Sequence, residues 1–223
     1  MRRSVPLLAL FALLSGATPA LASREWGPIA GINFATLSIE GTSGTDPRTT
    51  FAGGAVVDWG LNDKLGIRVE PTFTSEGGKS THRNIYWGSN DGAEFDLNCI
   101  DVPILTRLDL GKSPAHAFVL GGVGVAFFTG HDVHITTGNY EQTVDFKDIL
   151  KSTNLSLDLG VGISVPVGTN RMTFDARTAI GMLDINQGGT VTYNGNPLVI
   201  PSNAVHTLDF RLMATYLFPW PGH

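Results

Sequence analysis

The chain has 223 residues, with 15 basic against 20 acidic side chains and a net charge of −5, a balance that argues against nucleic acid as a partner. Its single cysteine, Cys99, excludes an intramolecular disulfide, and beyond the N-terminus no apolar run is long enough for a membrane-crossing helix. Charged residues nevertheless make up only 16% of the chain, against about 25% in ordinary soluble domains, so something other than water faces much of the surface.

Arg2 and Arg3, the apolar run from Val5 to Leu14 and the small-residue ending Ala20-Leu21-Ala22 predict a cleavable secretory signal over residues 1–22. Removing it leaves 13 basic against 20 acidic residues, a net charge of −7, on one domain over residues 23–223. Eight strands are then predicted in chain order. Ile29 to Glu40 and Phe51 to Trp59 open the series. Leu65 to Phe73 follows, with Leu65, Ile67, Val69, Pro71 and Phe73 on one face and Gly66, Arg68, Glu70 and Thr72 on the other. Ile100 to Leu110 and Phe118 to Phe128 are weaker but compatible. Leu155 to Val167 is the clearest, because every odd position is apolar and the even ones are Ser, Asp, Gly or Pro. Met172 to Met182 sets Phe174 and Ile180 opposite Asp175 and Arg177. Leu208 to Phe218 sets Leu208, Phe210, Leu212, Tyr216 and Phe218 opposite Asp209, Arg211 and Thr215. A helix would scramble every one of these faces.

The connections alternate in length. Leu61 to Lys64, Gly111 to Pro114 and Gly168 to Arg171 have hairpin chemistry, whereas roughly Gly41 to Thr50, Glu76 to Ala93, Gly130 to Asn154 and Asp184 to Ser202 are long and polar. Short turns at one end and long loops at the other describe an all-β, eight-stranded, antiparallel up-and-down transmembrane barrel, with periplasmic turns and extracellular loops. All five lysines (Lys64, Lys79, Lys112, Lys147, Lys151) fall in connections or at strand ends, which disfavours a soluble lipocalin-like carrier. The polar faces carry Asp58, Glu70, Asp101, Asp158, Asp175 and Asp209 with Arg68, Arg107, Arg177 and Arg211. They are predicted to pair across a lumen too narrow for unpaired charge. Trp26, Trp59, Tyr216, Phe218 and Trp220 are predicted to form an interfacial girdle at the periplasmic side.

Several stretches carry a resemblance. These are Gly31-Ile32-Asn33-Phe34, Phe51-Ala52-Gly53-Gly54, Leu61-Asn62-Asp63-Lys64-Leu65, Ile100-Asp101-Val102-Pro103-Ile104-Leu105 and Tyr216-Leu217-Phe218. In this order they resemble the porin-like outer-membrane β-barrel domain family described as PorT-like, related in architecture to OmpA/OmpX-type barrels. The likeness covers nearly the whole mature chain, although Pro219-Trp220-Pro221-Gly222-His223 follows the aromatic Phe218 at which many such barrels stop. It implies the outer membrane of a Gram-negative-type bacterium, lipid around the strands and an insertion machinery that reads Phe210, Tyr216 and Phe218. It implies no single activity.

Neither cofactor nor metal is predicted. His131-Asp132-Val133-His134 could offer ligands, but two histidines without further fixed donors read as a solvated loop. His82, His116 and His206 are scattered and form no local triad with a serine, so a lipid-modifying barrel enzyme is disfavoured. Gly121-Gly122-Val123-Gly124 lacks a P-loop lysine and is expected to let its strand curve. The expected role is structural or surface interaction, with an extracellular ligand met by the long loops. A small pore for ions or solutes is the alternative.

Overall fold

A computed structural model describes residues 23–41, 44–80, 91–111, 113–137, 140–193 and 195–221. The predicted signal segment and His82, in the predicted second long loop, lie outside the described residues, as does Lys112. Among the described residues the regular elements are all strands, in thirteen segments: β1 (Arg24–Ile39), β2 (Arg48–Gly60), β3 (Leu65–Val69), β4 (Thr72–Ser80), β5 (Asp91–Asp109), β6 (His116–Phe128), β7 (Asp132–Thr137), β8 (Tyr140–Asp145), β9 (Thr153–Val167), β10 (Asn170–Gly181), β11 (Gly189–Tyr193), β12 (Asn196–Ile200) and β13 (Val205–Pro219).

Eight of the positions close a ring. β1 pairs with β2, β2 with β3 and β4, both of these with β5, and the ring continues through β6, β9, β10 and β13 back to β1, every pairing antiparallel. β3 and β4 are one barrel strand with its bonding interrupted at Pro71. That residue has no N–H to donate, and Pro103 on the facing strand has none either. The register runs through unshifted: Val69 faces Ile104 and Thr72 faces Asp101.

The faces are inverted relative to a water-soluble protein. On β9 the residues Leu155 to Val167 at odd positions are between 36% and 61% exposed, while Ser156, Asp158 and Ser164 are buried. On β13 Leu208, Phe210 and Leu212 are exposed, and Asp209, Arg211, Met213 and Thr215 are buried. Apolar surface this continuous is far beyond what soluble monomers expose, and a ring without edges is the way strands satisfy their backbone in hydrocarbon.

The turns at the end that holds both β1's start and β13's close are short. Asn62 Oδ1 accepts from the N–H groups of Lys64 and Leu65, both at 2.9 Å, which shapes the β2–β3 hairpin. Val167 pairs with Asn170 around a two-residue turn in which Gly168 takes φ 64°, a conformation that favours glycine.

The opposite end differs from the expected open loops. β4 continues to Ser80 and β5 starts at Asp91, so the barrel wall rises well above its apolar belt. The third long connection folds into the β7–β8 hairpin, with β7 paired to the raised part of β5, and the fourth into β11–β12. β7 and β8 escape a period-two reading because their outer faces no longer meet hydrocarbon, and their apolar residues Val133, Ile135 and Val144 all point inward. Val133, Ile135, Val144, Phe146, Ile149 and Ile185 pack with Leu37, Leu97, Cys99 and Phe128 from the barrel wall into one buried cluster over the mouth.

Candidate functional site

The inward faces of the strands carry a column of charge. Nearest the short turns, Asp58 on β2 faces Arg68 on β3 across the ladder, so the two side chains are cross-strand partners by register alone. Asp58 Oδ2 accepts from Arg68 at 3.0 and 3.2 Å, from Arg171 at 3.2 Å and from Arg107. Arg171 also bonds Glu25, and Arg107 Nη2 bonds Asp109 at 2.9 Å. The Arg68 guanidinium lies 5.4 Å from the centre of the buried Phe118 ring, so its face is covered as well as its edge.

One step further along the axis, Arg177 Nη1 meets Glu70 Oε2 at 2.5 Å and its Nε lies 3.0 Å from Asp175. Arg68 Nη1 reaches the same two carboxylates at 3.6 and 3.8 Å. Arg177 stands directly opposite Arg211 across the β10–β13 ladder. Two facing cations destabilise a ladder unless each is paired, and here each turns to different acids.

Arg211 serves the outermost group. It bonds Asp101 and lies 3.4 Å from Asp209 Oδ2 and 3.8 Å from Glu76 Oε1. Asn33 Nδ2 donates to Asp209 Oδ1 at 3.2 Å and to the Ser75 carbonyl at 3.1 Å. Asp158 is different: it forms no ion pair among the described residues, Ser156 donates to its Oδ2 at 2.7 Å, and its Oδ1 is buried without a hydrogen bond. Gly124 makes room for this group. A Cβ there would fall 2.4 Å from Ser156 Oγ and 3.0 and 3.2 Å from the carboxylate oxygens of Asp158 and Asp101. Close approach, as well as curvature, accounts for a glycine at this point of β6.

The structure therefore joins Arg68, Glu70, Arg107, Asp175 and Arg177, with Asp58, in one chain of ion pairs, and gathers Asp101 and Asp209 around Arg211 in a second group beside it. Asp158 sits among them unpaired. Glu25, Arg171 and Glu76 belong to the column too, and sequence reasoning missed them. Arg171 reads as a turn residue, and Glu76 sits in Thr72–Ser80, whose outward side has no apolar alternation to mark a strand. A second missed group lies above, where Arg48 binds Glu94 and Asp96, both at 2.8 Å, and so ties β2 to the raised part of β5.

At the turn end, the Trp26 ring stands 5.7 Å from Phe218, and Tyr216 stands 5.0 Å from Phe218 edge-on. Trp59 is level with Arg24 by register, and Trp220 is joined to Arg24 by its backbone N–H at 2.8 Å, so the five aromatic residues share one rim.

At the outer end, His131 is buried with its ring 5.9 Å from Phe128, and His134 bonds Thr143 at 2.9 Å across β7–β8. The two imidazoles are thus engaged separately. Among the described residues no group of three or more His, Cys, Asp or Glu side chains is placed to hold a metal ion. The third and fourth connections are clasped together: Lys151 N bonds Ile185 O at 2.8 Å, Gln187 N bonds Ile149 O at 2.7 Å, and Lys151 Nζ donates to the Asp184 carbonyl at 2.6 Å. Asp184 Oδ1 accepts from the N–H groups of Val205 and Asn186 at 2.9 and 3.0 Å. Although its partial burial works against ionisation, these bonds hold its carboxyl below the ordinary aspartate range.

No curated protein sequence matches the chain. Among solved structures it is similar to OprG from Pseudomonas aeruginosa, at 12% identity and a TM-score of 0.51 over 88% of this chain and 96% of that one. Neisserial surface protein A aligns at 12% identity and a TM-score of 0.45, covering 87% and 97% of the two chains. The outer membrane protease OmpT from Escherichia coli aligns at 10% and 0.37, covering 89% and 96%. At such identities the likeness to OprG concerns the fold. Residues 17–187 match the family described as "Outer membrane protein beta-barrel domain", more than half of the sequence. The inverted faces, the closed ring and this match agree, and the chain belongs to that family of outer-membrane β-barrels, resident in the Gram-negative outer membrane.

Proposed function

We propose that the protein is a barrel that passes no solute and carries out no catalysis, and that its role is structural or a surface interaction made through the folded outer mouth. The observation that carries this reading is the filled lumen. Three successive groups of arginine and carboxylate side chains, buried except for the partly exposed Glu25, Asp109 and Arg171 nearest the turns, occupy an interior that eight strands leave only wide enough for side chains. Above them the apolar cluster around Leu97, Phe128 and Ile149 covers the mouth.

In this reading Trp26, Trp59, Tyr216, Phe218 and Trp220 form the girdle at the periplasmic interface, and lipid surrounds the apolar belt between that rim and the mouth. Phe210, Tyr216 and Phe218 are the residues shown to the insertion machinery. An extracellular partner meets the hairpins, where Val199 on β12 is 70% exposed.

Labelling of intact cells tests the display. A Val199→Cys variant is expected to react with a membrane-impermeant maleimide on unbroken cells, and an Asp63→Cys variant in the β2–β3 turn only after lysis. The buried Cys99 stays silent in both. Reaction at position 63 with protection at 199 would turn the molecule over and remove the surface role.

A further inference from the structure

The apolar cluster over the mouth is not completely packed. It leaves a partly open cavity of about 60 Å³, walled on the barrel side by Leu37 and Leu97 and on the loop side by Phe146, Ile149, Ile185 and Ile200. On the measure by which a single water needs ~10–15 Å³, this is room for several atoms of a guest. Water is a poor guest, since it needs two or more polar partners. The two polar side chains on the wall are Asn186 and Asn203. Asn186 spends its amide on the loop itself: Nδ2 donates to the carbonyls of Pro201 and Asn203 at 2.9 and 2.7 Å, and Oδ1 accepts from Gly188 N at 3.0 Å. Asn203 Nδ2 donates to the Glu40 carbonyl at 3.3 Å. No charged group lies on the wall, so a charged guest would be desolvated without a partner.

The walls are also held apart by bonds that do not depend on a guest. Ile185 N bonds Val205 O at 3.0 Å, and the clasp at Lys151, Asp184 and Gln187 fixes the third and fourth connections against each other. A space that the backbone keeps open, lined by Leu, Ile and Phe, is a preformed apolar site. Leu37 and Leu97 are inward residues, so the barrel wall stands between this space and the bilayer.

We propose that this cavity binds a small uncharged apolar molecule, no larger than a short alkyl chain or a single aromatic ring, presented from the extracellular side. The inference deepens the surface-interaction reading by naming a ligand class, and it rests on that reading for its biological role.

Benzene is the probe, titrated into the protein in lipid nanodiscs with isoleucine δ-methyl groups labelled for NMR. The expected result is saturable shifts at Ile149, Ile185 and Ile200. The lipid-facing Ile104 and Ile163 should instead move in proportion to benzene in the bilayer, without saturation. Ile185→Phe, which fills the space, is expected to weaken the saturable binding at least tenfold. Should that variant fail to show the heat-dependent gel mobility of a folded barrel, Leu97→Phe fills the same space from the opposite wall. Unsaturable shifts at all five isoleucines, saturable binding that survives filling, or water contacts from inside the cavity would each overturn the proposal. Ion conductance through the wild-type lumen would sink the sealed-barrel reading and leave these shifts unchanged.

Discussion

Replacing Arg211 by alanine is expected to destabilise the barrel by about 3–5 kcal/mol, the usual consequence of removing one partner from a buried ion pair. Among the described residues Arg211 is the one arginine in contact with Asp101, Asp209 and Glu76, all buried, and its loss would strand three carboxylates beside Asp158, which has no ion pair there either. Asp158→Asn should behave in the opposite way. It removes a buried charge that has no ion-pair partner while an amide can still accept from Ser156, so stability in urea is expected to be unchanged or to rise. Denaturant titration of the detergent-folded protein reads both. Equal losses for the two variants would mean that the outermost group is not organised around Arg211.

The second large effect concerns the other face. Leu159 on β9 is 53% exposed and lies at the middle of its strand, facing Thr178 on one side and Gly121 on the other. Leu159→Arg is expected to cost about 2–4 kcal/mol, the price of a cation near the bilayer midplane, whereas Ile67→Arg, level with the rim residue Trp59, is expected to cost only about 0–1 kcal/mol. Lys147→Ala, at an exposed position of the third connection, should change detergent-resistant folding far less. Equal effects at Leu159 and Lys147 would show that the outward face does not meet lipid.

How much of this was legible in the sequence follows from where hydrocarbon stops. Within the belt, one face must be apolar and the other polar, so Leu155 to Val167 and Leu208 to Phe218 show their alternation openly, and the predicted strands fall inside β9 and β13. Above the belt the outward face meets water. Glu76 to Ser80 therefore reads as polar loop, although Glu76 points inward and is buried. The same change hides β7 and β8, where inward Val133, Ile135 and Val144 alternate over stretches too short to separate from chance. Pairing inside the lumen was partly readable, because depth can be counted from the short turns: Glu70 and Arg177 fall on one level and meet at 2.5 Å. Arg171 was not, since a residue beside a turn gives no sign that its side chain will fold back to Asp58 at 3.2 Å. The isolation of Asp158 was equally hidden. It depends on which way Arg177 and Arg211 turn, and that is decided by carboxylates on four other strands.

The filled lumen is tested most directly by planar-bilayer recording of the purified, refolded chain. The wild type is expected to give no large, steady conductance. Arg68→Ala combined with Arg177→Ala, which removes the side chains bridging Asp58, Glu70 and Asp175, is expected to open one, provided the variant still shows the heat-dependent mobility of a closed barrel. Large and steady conductance from the wild type itself would contradict the account.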